Sequence, residues 1–111
     1  MSIKIKRYES SFKKVIADVI HNKLNKDELK LVSVSDVRIT NDLSYAKVYL
    51  IFLDPSKKAS SLSLINIAKG FIKKEIANKI MIRIIPELIF EIDDTLIKAR
   101  KIEEILGKLN Q

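Results

Sequence analysis

Hydrophobic and polar positions recur along this chain with two different periods. Residues 7–25 place apolar side chains at helical spacing, which predicts a first helix with one broad apolar face. Residues 31–40 and 45–53 are rich in β-branched residues at alternate positions, and turn residues separate them, which predicts a hairpin. In the first strand the apolar positions change parity near Ser35 and Asp36, which indicates a β-bulge. The apolar face of the first helix comprises Tyr8, Phe12, Val15, Ile16, Val19 and Ile20.

Two apolar stripes meet at a glycine in the next helical segment. At about 100° per residue, a straight helix would place Leu64 and Ile80 roughly 160° apart, so no single core could take both stripes. We therefore predict a kink that lets each half face the same core. Gly70 supports this, because glycine costs roughly 1 kcal/mol relative to alanine inside a helix. The predicted kink consists of Ala68, Lys69 and Gly70. The stripes are Leu64, Ile67, Ala68 and Phe71 before it, and Ile72, Ile76 and Ile80 after it.

The C-terminal part of the chain predicts one more strand and one more helix. Pro86 excludes a helix that runs across it, and residues 88–93 read as a third strand. Apolar residues then recur at helical spacing over residues 96–109, with the helix ending near Gly107. Side chains suited to helix caps precede both late helices: Ser60 or Ser61 for the kinked one, and Asp93, Asp94 and Thr95 for the last.

The order of these elements predicts the fold class. The order is helix, strand, strand, helix, kink, helix, strand and a C-terminal helix. A three-stranded sheet with helices on one face is the compact arrangement for this order, so we predict an α+β fold. The sheet and its helices are expected within residues 1–94, followed by a helical tail over residues 95–111. A chain of 111 residues with 47% hydrophobic residues is the size of a single globular domain.

Charge and composition narrow the classes of function. The formal net charge of +7 favours an acidic partner, most often nucleic acid, over a membrane surface. The absence of cysteine excludes disulfides and cysteine-based zinc sites, and a single histidine is too few for the usual catalytic zinc, so we expect no metal or cofactor. No stretch approaches the ~20 apolar residues of a membrane span, and the N-terminus lacks a signal-peptide core. A soluble cytoplasmic protein is expected.

Candidate catalytic chemistry is sparse. Asp93 and Asp94 form an acidic pair at a strand end, where they could bind a metal or act in acid–base catalysis, yet a helix cap explains them better. His21 falls on the solvent side of the first helix. With only two glycines, no glycine-rich phosphate loop is present. We predict a binding protein with no catalytic residues, and keep a hydrolase that uses Asp93 and Asp94 as an alternative.

Basic side chains near the kink and on the first helix are the candidate nucleic-acid contacts. They are expected to bind phosphates by charge, without reading bases. Tyr45 and Tyr49 flank Lys47 on one face of the second strand, where they either stack on bases or form the outer face of the sheet. A protein-interaction module with a basic surface is the alternative function. The candidate RNA contacts are Lys69, Lys73 and Lys74 at the kink, Lys79 and Arg83 after it, and Arg7, Lys13 and Lys14 on the first helix.

Three motifs give the chain a family resemblance. Residues 42–49, residues 68–72, and residues 83–90 together with Asp93 resemble, in order and spacing, the ribosome-binding factor A family. The order of elements also resembles a type II KH domain, and the resemblance implies a KH-like fold in which an Ala-x-Gly kink replaces the GxxG loop. The loop at residues 26–30 departs from the pattern, because it lacks the proline and glycine that many members carry.

The resemblance implies a role in ribosome biogenesis. Members bind the immature small ribosomal subunit and its ribosomal RNA, act late in rRNA processing and folding, and leave before translation. They are associated with growth in the cold and with an assembly GTPase that promotes their release, and they are not enzymes. We therefore expect a monomeric, cytoplasmic small-subunit maturation factor.

Overall fold

The computed structural model describes residues 3–95, 103 and 105–107, and within residues 3–95 it has the predicted order of elements. Helix α1 begins four residues earlier than predicted, because Ile5 adds a buried turn to its apolar face, and it ends in one π-helical turn. The elements are α1 Ile3–Asp18 with the π-helical turn Val19–Lys23, a 3-10 turn Asp27–Leu29, β1 Val32–Ile39, β2 Tyr45–Phe52, a 3-10 turn Pro55–Lys57, α2 Lys58–Ile67, α3 Lys69–Lys79 and β3 Glu87–Ile92.

The sheet has the order β1-β2-β3, with β2 in the centre. Strand β2 pairs antiparallel with β1 and parallel with β3, so α2 and α3 form the crossover that parallel pairing requires. The predicted bulge is confirmed, because Val34 pairs with Leu50 and Asp36 pairs with Tyr49, which leaves Ser35 without a partner.

One face of the sheet carries the core. Ala46, Val48 and Leu50 of β2 are fully buried, whereas Tyr45 and Lys47 on the other face are exposed. Helix α1 packs against β1 and α3, and its Phe12 and Ile16 are fully buried with Ile72 and Ile76 of α3. The prediction of a three-stranded sheet with helices on one face is therefore confirmed. No helix within the described residues is long and apolar enough to cross a membrane.

The kink is present at Ala68, but the stripe argument for it was wrong. Ala68 has ψ 3°, far from the helical value of about −42°, and it separates α2 from α3. Of the predicted upstream stripe, Ile67 is 79% exposed and Phe71 is 43% exposed. The apolar residues of the helix pair that are fully buried are Ile65, Ile72 and Ile76. On a straight helix the last two would lie within about 20° of Ile65, so no conflict of faces demands the kink.

Gly70 is not required by the backbone or by packing at the kink. Its φ is not positive, and a Cβ added there would meet no atom within 4 Å. Backbone hydrogen bonds still span the break, from the Ala68 N–H to the Leu64 carbonyl at 3.0 Å and from the Ile72 N–H to the Ala68 carbonyl at 2.9 Å. The effect of Gly70 is therefore to leave bare backbone exposed on the surface.

The predicted serine caps were also wrong, because α2 begins at Lys58 and both serines lie inside its first turn. Ser60 Oγ donates to the Lys57 carbonyl at 3.1 Å. Ser61 is buried, and its Oγ donates to the Glu28 carbonyl at 2.8 Å, which ties α2 to the loop after α1. At the other predicted cap, the Asp93 carboxylate accepts the Thr95 N–H at 3.0 Å. The predicted tail begins at residue 95, and nearly all of the predicted tail helix lies outside the described residues.

Candidate nucleic-acid interface

Lys69 and Lys73 lie one turn apart on the flank of α3 that faces β3. Their ammonium groups share the carboxylate of Glu87, with Lys69 Nζ 3.8 Å from Oε1 and Lys73 Nζ 3.4 Å from Oε2. The Lys69 ammonium also lies 5.8 Å from the centre of the Phe90 ring, within cation–π range. The structure thus brings these two predicted lysines together. It also places beside them the Glu87 carboxylate, which was not predicted from the sequence and offsets part of their charge.

Lys74 lies away from this pair. It projects from the solvent side of α3, where Ile67, Gly70 and Phe71 are also exposed. It makes no ion pair with any residue that the structure describes. The three predicted kink lysines therefore form two surfaces, one compensated by Glu87 and one open to solvent.

Lys79 and Arg83 lie at the opposite end of α3, in a groove against the start of α1. Lys4 and Tyr8 form the α1 side of this groove. The Lys79 ammonium is 3.5 Å from Asp18 Oδ2 and 4.0 Å from Glu75 Oε2. The pKa of Asp18 is lowered chiefly by the Asn22 amide, which donates to it at 2.8 Å, and further by Lys79. Lys4 and Tyr8 were not among the predicted RNA contacts, although their spacing of one helical turn was a usable signal.

The basic residues of α1 point in two directions. Arg7 and Lys14 are seven residues apart, so they share the solvent face of the helix. Lys13 lies on the flank above β1, on the side of Glu9, whose carboxylate accepts the Ile39 N–H at 2.8 Å. All three cations are exposed, and within residues 3–95 none of them forms an ion pair.

The outer face of the sheet is a less favourable surface for a polyanion. Tyr45 is 50% exposed and Tyr49 is half-buried, so the two candidate stacking residues do reach this face. Lys47 lies between them, but its ammonium is 3.8 Å from the Glu91 carboxylate. Arg38 is likewise held by Asp36 at 2.7 Å. The cations of the outer face are therefore offset by neighbouring carboxylates.

Asp93 has a structural role at the end of β3. Ser35, the unpaired residue of the bulge, donates its hydroxyl to Asp93 Oδ2 at 2.6 Å and so ties β1 to the chain after β3. This hydrogen bond, with those from Thr95, lowers the pKa of Asp93 to about 2. At neutral pH Asp93 is thus an anion with satisfied oxygens, which suits a structural tie and not a general acid. Among the described residues, no three His, Asp or Glu side chains cluster as metal ligands.

The tie between Ser35 and Asp93 predicts a specific dependence of stability on pH. The pKa of Asp93 is lower in the folded protein than its ordinary value of 3.8. The ionised carboxylate therefore stabilises the folded protein fully above pH 3.8, and this stabilisation is lost as pH falls towards about 2. Ser35→Ala removes the largest cause of the shift. We expect the variant to melt at a lower temperature than the parent at pH 7, with the difference shrinking between about pH 4 and pH 2. Thermal melts over this range check this. A difference that is the same at both ends would contradict it.

Comparisons with known proteins agree on one family. The sequence model described as ribosome-binding factor A matches residues 4–106. Ribosome-binding factor A of Finegoldia magna is 42% identical over 115 residues, covering 100% of this chain and 95% of that protein. The crystal structure of ribosome-binding factor A from Thermus thermophilus has a TM-score of 0.71 at 24% identity, covering 78% of this chain and 93% of that one.

A second Thermus structure is a homology model of ribosome-binding factor A fitted into a cryo-EM map of a 30S complex. It has a TM-score of 0.65 at 25% identity and covers 77% of this chain and 90% of that one. The KH-like fold expected from the order of elements is the fold of these neighbours. The family match, which spans nearly the whole chain, agrees with the motifs in the sequence. The chain therefore belongs to the ribosome-binding factor A family.

Proposed function

We propose that this protein binds the immature small ribosomal subunit through its ribosomal RNA and assists the late processing and folding of that RNA. The observation that carries the proposal is the family match over residues 4–106, joined to the 30S complex of the Thermus relative. The net charge of +7 supports a nucleic-acid partner. The protein acts by binding, not by catalysis, as a cytoplasmic monomer that supports growth in the cold, and an assembly GTPase promotes its release.

The residues proposed to contact phosphates differ in how readily their charged groups can reach one. Lys74, Arg83, Arg7 and Lys14 are exposed and make no ion pair with any described residue, so they can meet phosphates directly. Lys69 and Lys73 must first exchange the Glu87 carboxylate for a phosphate. Gly70 offers bare backbone between these groups, which permits a close approach of the RNA chain. Lys13 and Lys79 are assigned supporting contacts at the edges of this surface.

A protein-interaction role has one observation in its favour. Ile67 and Phe71 are exposed beside Gly70 on the solvent side of the kink, and exposed apolar residues suit a protein partner. Association through this apolar surface would depend little on salt, whereas association through phosphates would weaken steeply with salt. Salt dependence therefore separates the two proposals.

Co-sedimentation across a salt series tests the proposed function. The purified protein is centrifuged with free small subunits, large subunits and intact ribosomes. We expect binding to small subunits only, with a log–log slope of roughly −0.7 to −0.9 for each phosphate neutralised. Equal binding to every particle would reduce the interaction to nonspecific adhesion. Small-subunit binding with a flat salt response would favour the protein-interaction role.

A further inference from the structure

The groove between α1 and the end of α3 combines cationic side chains with apolar surface. Lys4 and Tyr8 line one wall, and Lys79, Met81 and Arg83 line the other. The groove holds about 800 Å³ of solvent, enough space for more than one nucleotide. Two of the predicted RNA contacts, Lys79 and Arg83, line this groove.

The charged side chains that line the groove all carry the same sign. Three cationic side chains line it, and none of its described lining residues is acidic. Lys79 is held from outside the groove by Asp18 and Glu75, while Arg83 forms no ion pair within the described part of the chain. The guanidinium of Arg83 can therefore meet a phosphate in two-point geometry without first leaving a carboxylate. By contrast, Lys69 and Lys73 on the other flank of α3 are compensated by Glu87.

The apolar surface in the groove suits a flat ring. Tyr8 is half-buried and packs partly against the core, and the Lys4 ammonium lies 6.0 Å from the centre of its ring, so a flexible side chain covers part of the ring. Met81, on the facing wall, is 98% exposed. A nucleobase on this face of Tyr8 would take the place that the Lys4 side chain holds over the ring. A duplex keeps its bases stacked inside and would leave both Tyr8 and Met81 uncovered, whereas an unpaired strand covers them.

We propose that this groove binds an unpaired RNA segment, with a base stacked on Tyr8 and a phosphate held by Arg83. This inference deepens the proposed function and rests on it, because it names the kind of RNA structure that the surface recognises. Tyr8 supplies the preference for single strands, since every base has a ring face and stacking does not require a particular sequence. Lys4 and Lys79 add charge along the strand.

Binding of fluorescein-labelled octauridylate, followed by anisotropy at low salt, tests the inference. We expect Tyr8→Leu, which keeps apolar volume but removes the ring, to weaken binding by about five- to a hundredfold. Arg83→Gln is expected to weaken binding and to flatten the salt slope by about 0.7. Arg38→Gln on the outer face of the sheet is the matched control for Arg83→Gln and is expected to bind as the parent does. Tyr45→Leu on the same face is expected to lose less binding than Tyr8→Leu. The chain has three tyrosines and no tryptophan, so unlabelled octauridylate should also quench tyrosine fluorescence, and Tyr8→Leu should remove that quenching.

Several results would overturn the inference. These are no binding of octauridylate by the parent, tighter binding of an RNA duplex of equal length, a larger loss in Tyr45→Leu than in Tyr8→Leu, or parent-like binding by Arg83→Gln. Because Arg83 is exposed, we expect Arg83→Gln to fold. This variant therefore still tests the inference if Tyr8→Leu does not fold. Co-sedimentation with small subunits distinguishes a failure of the groove inference from a failure of the proposed function. If the parent and both groove variants bind small subunits equally, only the groove inference fails; if the parent does not bind them, the proposed function fails.

Discussion

Phe12→Ala is expected to reduce the free energy of unfolding by about 3–5 kcal/mol. Phe12 is fully buried in the cluster that joins α1 to the sheet and to α3, so its removal deletes apolar contacts and leaves a cavity. A domain of this size has a total stability of about 5–15 kcal/mol, so the loss is a large fraction of the whole. Urea unfolding followed by circular dichroism measures it, with an unchanged m-value indicating a change in stability alone.

The chain offers a matched control for this change. Phe71→Ala removes the same atoms from the solvent side of the kink, where the ring is 43% exposed. We expect a cost of less than about 1.5 kcal/mol, because little apolar area is lost and no closed cavity forms. Equal costs at the two positions would mean that Phe71 belongs to the core, as the sequence stripe had predicted, and would contradict the packing described here.

Reversing the charge of Lys69 and Lys73 together is expected to weaken binding to small subunits by about a hundredfold or more. Each lysine is proposed to make a charge-assisted contact with phosphate, worth about 1.5–3 kcal/mol, and a loss of 1.4 kcal/mol is tenfold in affinity. The salt slope should also fall by about 1.4–1.8, because two phosphate contacts are lost. Titration of small subunits with Lys69→Glu/Lys73→Glu at several salt concentrations measures both quantities.

Two further variants separate a local effect from a change in net charge. Lys26→Glu/Lys30→Glu makes the same change in net charge in the loop after α1 and is expected to weaken binding far less. Glu87→Gln removes the carboxylate that both kink lysines share and is expected to tighten binding by up to about fivefold, since an exposed ion pair is worth about 0.2–1 kcal/mol. Weaker binding by Glu87→Gln, or equal losses in the two double variants, would show that these lysines do not meet phosphates.

Charge and spacing along the chain select candidate RNA contacts, but they do not show which of those residues share a surface. Charge and helical spacing were enough to select Lys69, Lys73, Lys79 and Arg83, because both are local properties of the chain. The partners of these cations were not predictable in this way. Glu87 lies 14 residues after Lys73, and only the packing of α3 beside β3 brings the two groups together. Lys4 and Tyr8 joined Lys79 and Arg83 for the same reason, since α1 and α3 meet only in the folded domain.

The sequence by itself determined the family of this protein and, within residues 3–95, the order of its helices and strands. Helical and strand periods, the change of parity at Ser35, and Pro86 act over a few residues, so they can be read without a fold. Only the tertiary structure decided that Ile67 and Phe71 face solvent, that Ser35 reaches Asp93 across 58 residues, and that Glu87 offsets the kink lysines. Hydrophobicity shows that a residue can be buried, not that a neighbour exists to bury it, and ion pairs between distant residues depend on how whole elements pack.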